Sequence, residues 1–276
     1  MEALAVLCAA LLHASWNGML KHSSNQTRSL VLNRAVAASV GLLFIFFLPP
    51  LSPAAWPYLL AASAIHLVYF FSLLGAYRYG DFSQVYPVSR GLAPIFILAL
   101  GLVFGFDTML AQEIVGVILV SIGILLLVRK GFVNNTKPLA YALLTAICIT
   151  GYSVSSGLGV RISQNYLVYI AYLEFISGCL FVFSALLTQG DKLQWQTLSA
   201  KSASIDFAAG LMALGGFGVA LWAMSTIPIP TVAALRETSV IFAIFIAWFV
   251  LKEPLAKGRL IAALVVFSGI VCIFLT

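Results

Sequence analysis

Shifted by 146 positions, this chain falls on itself. Arg90 meets Arg236, Asp107 meets Glu253, Gly123 meets Gly269, Phe96 meets Phe242 and Phe71 meets Phe217, all without a gap. Scarce charged residues and glycines that recur at one fixed offset mark a duplication, not the accidental likeness of greasy segments. The matched stretches are almost wholly apolar, so the duplicated unit is one that spans a membrane. The architecture then turns on whether each unit holds an odd or an even number of spans.

Composition supports spans throughout. Apolar residues make up 62% of the chain and charged residues 9%, with a mean hydropathy of +1.06; soluble domains carry about 25% charged residues. A length of 276 residues is therefore a count of spans of roughly 20 residues each. Ten are expected, at 3–20, 30–48, 57–77, 83–105, 112–128, 138–157, 166–187, 206–224, 230–251 and 258–275. Prolines and charges punctuate them: Pro49-Pro50 with Pro53, Arg78 with Asp81, Asp107, Arg129-Lys130, Arg161, Asp191-Lys192, Pro228 with Pro230, and Lys252-Glu253-Pro254. Continuous runs of this length read as helices, because a barrel strand needs only about 10 alternating residues. The longest loop, around 188–204, contains Trp195 and little else expected to pack. No soluble domain fits between the spans.

Spans three to five match spans eight to ten at 146, while the first two need smaller offsets. At 136, Ser15-Trp16-Asn17 meets Gly151-Tyr152-Ser153; at 140, Arg34 meets Glu174. Each unit thus holds five helices, one in residues 1–130 and one in 131–276. Five is odd, so the expected fold is all-α, a polytopic membrane protein of ten transmembrane helices in two inverted five-helix repeats related by an axis in the membrane plane. The loops after odd-numbered spans hold Lys21, Arg28, Arg78, Arg129, Lys130, Lys137, Lys192, Lys201, Lys252, Lys257 and Arg259, against Arg161 alone on the other face. The positive-inside rule places both termini outside the cytoplasm.

Other classes find little support. The net charge of +6 is scattered over short loops, so no nucleic-acid partner is expected. Cys8, Cys148, Cys179 and Cys272 lie inside apolar runs without metal or redox spacing. Met1-Glu2-Ala3 lacks a basic leader region, so the first span reads as one that stays. Walker-type phosphate loops and paired-histidine metal motifs are missing, and His13, His22 and His66 are the three histidines. No cofactor or metal is expected.

The residues resemble the EamA-type members of the drug/metabolite transporter superfamily. The resemblance covers essentially the whole chain. It rests on His13-Ala14-Ser15-Trp16-Asn17 followed by Lys21, on Asn33-Arg34-Ala35, on the block from Tyr86-Pro87 through Pro94 to Asp107, and on Leu251-Lys252-Glu253-Pro254 through Gly269. It implies export or exchange of small metabolites, often amino acids, by alternating access, around a cavity lined by the first four helices of each half. It also implies termini in the cytoplasm, the reverse of the charge count. The first-span segment is similar to a subgroup associated with phosphonate utilisation.

An ionisable group at membrane depth costs several kcal/mol unless paired or hydrated, roughly 2.5–3.5 on insertion scales. Arg90 in span four and Arg236 in span nine are equivalent, and inversion would turn both toward one central space. Two guanidiniums there would favour an anion; alternatively each locks two helices through a carboxylate. Glu237, next to Arg236, and Glu174, in span seven, are candidates for proton coupling or for a structural ion pair, for example Glu174 with Arg236. Arg34, read as one turn into span two, is expected to snorkel to the interface. His66 with Tyr69 one turn later, Trp16 and Asn17 with the equivalent Tyr152, and Tyr86 one turn before Arg90 complete the candidate substrate contacts. Trp56, Tyr58 and Trp195 read as belt residues. Gly116, Gly123, Gly101 and Gly105 read as close-packing positions, and Gly215, Gly216 and Gly218 as packing or a hinge.

The expected function is a secondary transporter, exporter or exchanger, of a small polar metabolite, anionic or zwitterionic, in the cell's inner or plasma membrane. Its partners would be the solute and lipid, and its state monomer or homodimer. An intramembrane enzyme acting on lipid head groups would need a nucleophile or metal cluster that the sequence lacks. A non-transporting assembly subunit would predict an uncharged interior.

Overall fold

The structure is a computed structural model that describes residues 2–128, 136–242 and 257–275. Among these residues every regular element is helical. The long helices are α1 (Glu2–His22), α2 (Gln26–Ile45), α3 (Trp56–Tyr79), α4 (Phe82–Phe104), α5 (Ala111–Leu125), α6 (Thr136–Ser163), α7 (Tyr166–Gln189), α8 (Ala200–Met224), α9 (Ile229–Glu237) and α10 (Lys257–Phe274). Seven helices, α1 to α4 and α6 to α8, are long and apolar enough to cross a membrane, and α5 and α10 are shorter apolar helices. The repeat boundary near 130, Glu253 and the Leu251–Pro254 motif lie outside the described residues.

Local chemistry sets the helix ends. Asn25 accepts from the Arg28 amide and starts α2 at Gln26; Asn165 accepts from the Val168 amide and starts α7 at Tyr166. The two asparagines occupy corresponding places at offset 140, and each satisfies a helix N–H that has no intrahelical partner. Gly105 takes φ +63° and ends α4, a conformation that suits glycine. It is a helix cap with open space where a Cβ would lie, and not the packing position expected for it.

Helices pack in reciprocal pairs: α1 with α8, α3 with α6, α2 with α7, and α5 with α10. In the α2–α7 pair, Gly41 abuts Ala171 and Phe175, whereas Arg34 and Ala38 abut Gly178, so the two helices run in opposite directions. In the α5–α10 pair, Gly116 abuts Gly269 and Ile273 while Gly123 abuts Ala262 and Val266. That pair is also antiparallel. Small residues allow this approach; a methyl at Gly269 would lie 2.7 Å from the Gly116 carbonyl oxygen. Gly216 does the same against Ala9 and Leu12 of α1.

The two ends of the bundle are tied differently. At the basic end, the 188–204 loop folds into 3₁₀ turns at Gly190–Lys192 and Trp195–Thr197, and Leu193 is fully buried. Buried Arg28 donates to the Gln194 carbonyl (2.8 Å) and the Thr197 hydroxyl (2.7 Å), and Asn25 donates to the Lys192 carbonyl. This loop was expected to offer little to pack; the arginine reaching in from α2 gives it a scaffold. At the other end Arg161 pairs with Asp107 at 2.8 Å and donates to the carbonyls of Met224 and Ile227. The second oxygen of Asp107 accepts from the Ile229 amide. One ion pair thereby fixes the α4–α5 loop, the end of α6 and the start of α9.

Candidate functional site

Arg90 and Arg236 lie at the centre of the bundle, 1% and 3% exposed. Arg90 sits on α4 between two prolines of the helix interior, Pro87 and Pro94. Pro94 has no N–H to offer the Arg90 carbonyl, which loosens the backbone at this point. Arg236 ends α9. The helical ladder is interrupted just beyond it, at Thr238, whose amide reaches the Leu235 carbonyl three residues back. Interrupted helices are a common means of presenting polar groups at membrane depth.

Arg90 is richly partnered. Its Nη1 donates to Glu237 Oε1 at 3.1 Å, its Nη2 meets His13 Nε2, and its guanidinium lies 5.3 Å from the Tyr86 ring centre. Tyr86 in turn shares a hydrogen bond with Ser239, 3.2 Å away, just past the helix interruption. Trp16 Nε1 donates to the other ring nitrogen of His13 at 3.2 Å. Asn17 donates to the His13 carbonyl and accepts from the Tyr77 hydroxyl. His13 therefore faces a donor at each ring nitrogen, although a neutral imidazole accepts at one.

Arg236 is not so served. Its Nη2 meets the Tyr152 hydroxyl at 3.4 Å and its guanidinium lies 5.6 Å from the Phe217 ring. Among the described residues its Nε and Nη1 are buried without an acceptor, and Glu237 Oε2 is buried without a donor. An aromatic wall stands beside it. His66 stacks on Tyr152 with centres 4.2 Å apart and on Phe70 at 5.8 Å, with Tyr69 and Phe217 edge-on.

The third guanidinium corrects the expectation for Arg34. It does not snorkel. It is buried and pairs with Glu174 at 3.0 Å, while Asn33 Oδ1 accepts from its Nε and Nη2 and the Phe70 face lies 5.2 Å away. Glu174 consequently belongs to Arg34 and not to Arg236. The reason is the Asn25 cap: α2 begins at Gln26, so Arg34 lies two turns inside the helix.

The ten residues singled out in the sequence thus fall into one connected polar and aromatic region. His13, Arg34, Phe70, Tyr77, Phe217 and Ser239 belong to it as well. The signal for His13 was its place one turn before both Trp16 and Asn17, which puts the three on one helix face. The signal for Arg34 was its match to Glu174.

A family model described as the EamA-like transporter family matches residues 1–129 and again residues 136–275. The chain belongs to this family. It is an integral, multi-pass membrane protein of a transporter family whose two matches repeat along the sequence. A solved crystal structure, described only as that of a protein, is similar at a TM-score of 0.76 with 14% sequence identity, over 99% of this chain and 97% of the other. At that identity the likeness is one of fold. A comparison with curated proteins gives no match.

Proposed function

We propose that this EamA-family chain is a secondary transporter that moves a small anionic or zwitterionic metabolite by alternating access of two inverted five-helix halves. The inversion is supported by the pairing of equivalent helices. α2 and α7 correspond at offset 140, α5 and α10 at 146, and each pair runs antiparallel, as an axis in the membrane plane requires. The contacts exchange as well: Gly116 on Gly269 becomes Ala262 on Gly123 when the halves are swapped.

The observation that carries the substrate class is the orphaned edge of Arg236. Among the described residues the central region holds three guanidiniums (Arg34, Arg90, Arg236) and two carboxylates (Glu174, Glu237), and both ion pairs leave Arg236 out. A buried cation lacking a counter-charge is costly. Its Nε and Nη1 are open donors on either side of Nη2, which only the long Tyr152 contact holds, so each could pair with Nη2 to grip a carboxylate or phosphonate; Glu237 Oε2 lies on the next residue for an ammonium group. Tyr69, Tyr152 and His66 would wall the solute, and Tyr86 and Ser239 would report its arrival to the helix interruption. His13, its ring held by Trp16, steadies Arg90. The basic face is assigned to the cytoplasm, the site of greatest Lys and Arg density; labelling cysteines at positions 24 and 164 with an impermeant reagent tests that assignment.

The functional test is counterflow in proteoliposomes with a panel of amino acids, organic acids and phosphonates. Uptake of an anionic or zwitterionic member that is lost in Arg236→Ala supports the reading. Uptake that survives both Arg236→Ala and Arg90→Ala removes the site.

A further inference from the structure

We propose that the crevice between α3, α6, the α1–α2 loop and the neighbouring ends of α2 and α7, at the basic end of the bundle, binds an anionic phospholipid. Its volume is about 870 Å³. The floor is apolar, with Leu67, Val68 and Phe71 from α3 and Leu144 from α6. Val68 is 47% and Leu144 41% exposed, so the flank opens toward hydrocarbon. From Leu67 to Arg78 the helix rises roughly 16 Å at 1.5 Å per residue, about half of the ~30 Å hydrocarbon thickness. That is the depth of one acyl chain in one leaflet.

The mouth is basic and rich in hydrogen-bonding groups. Arg78 and Lys192 line it with Ser23, Ser24 and Thr27. The ion pairs among the described residues use neither cation. Arg78 lies over the Tyr79 ring at 5.5 Å, and Lys137 approaches the same ring at 3.9 Å, bringing a third positive charge to the rim. Basic pockets between membrane helices suit anionic head groups.

A counterpart crevice sharpens the assignment. At the opposite end, α2, α7 and α8 line a cavity of about 340 Å³. Its Tyr166, Leu167, Leu214 and Gly218 correspond, at offsets 140 and 146, to Gln26, Thr27, Val68 and Ser72 of the basic crevice. Among the described residues no Lys, Arg, Asp or Glu lines it. The architecture thus makes the crevice twice, and charge is added at one end only. A soluble anion would use the basic mouth but has no need of a hydrocarbon floor, which favours the lipid.

The test is native mass spectrometry of the purified full chain with phosphatidylglycerol and phosphatidylcholine. The wild type should retain phosphatidylglycerol preferentially. The double variant Arg78→Ala/Lys192→Ala should weaken that binding about 30-fold, since each basic group near an anionic lipid surface contributes close to a factor of five. Val68→Trp, which fills the apolar floor, should weaken it comparably, and Lys201→Ala, a charge loss elsewhere on the same face, should leave it within about twofold. Absence of a phosphatidylglycerol preference, an equal loss in Lys201→Ala, no loss in Val68→Trp, or displacement of the lipid by inorganic phosphate would each overturn the assignment. The readout is independent of transport, so it stands or falls apart from the central site.

Discussion

Arg90 and Arg236 hold the same place in the two halves, yet their surroundings differ. Arg90 has a carboxylate at 3.1 Å, an imidazole and an aromatic face; Arg236 has one long contact to a tyrosine hydroxyl and two orphaned donors. Both are held by equivalent helices, so the scaffold does not explain the contrast. It comes from single residues: Glu237 follows Arg236, whereas Gly91 follows Arg90, and Glu237 reaches across to the other half's arginine. A duplicated scaffold can thus hold one arginine in a buried ion pair and leave its equivalent without a carboxylate among the described residues.

Stability measurements in detergent can break that contrast. The largest expected effect is Arg90→Ala, which strands Glu237 and should cost about 3–5 kcal/mol of unfolding free energy. Removing both charges in Arg90→Ala/Glu237→Ala should recover much of it, and a cycle showing no coupling would refute the pairing. Glu174→Ala should cost less, about 3 kcal/mol, because Asn33 and the Phe70 face still hold the Arg34 guanidinium. Gly269→Ala forces α10 off α5 and should cost about 1–3 kcal/mol; thermal melts would register it. The smallest effect belongs to Asp107→Asn, about 1 kcal/mol, since Arg161 is partly exposed and retains carbonyl acceptors.

Much of this was legible in the sequence because membrane helices announce themselves by length. Unbroken apolar runs bounded by Pro49-Pro50, Asp107 or Lys192 place most spans within a few residues of the helices found. Partnership was harder to read. The depth of Arg34 is hidden because the apolar run starts at Leu30, while the polar turn Gln26-Thr27-Arg28-Ser29 is already helical under the Asn25 cap. Its partner was nonetheless visible: residues matched by the repeat can touch where antiparallel equivalent helices cross, and Arg34 and Glu174 do. The interruption at Thr238 left no trace, because no proline or glycine marks it. The order of the loop at 188–204 is not legible locally, because its anchor, Arg28, comes from more than 160 residues away.

The account rests on Arg236 serving a ligand and not the fold. The most direct measurement pairs the transport rate of Arg236→Ala in proteoliposomes with its unfolding free energy in detergent. Loss of a charge-assisted contact to the solute should lower transport about 100-fold, with stability within about 1 kcal/mol of the parent, because the side chain has no carboxylate to strand. Transport retained, or lost together with a stability deficit as large as that of Arg90→Ala, would contradict it.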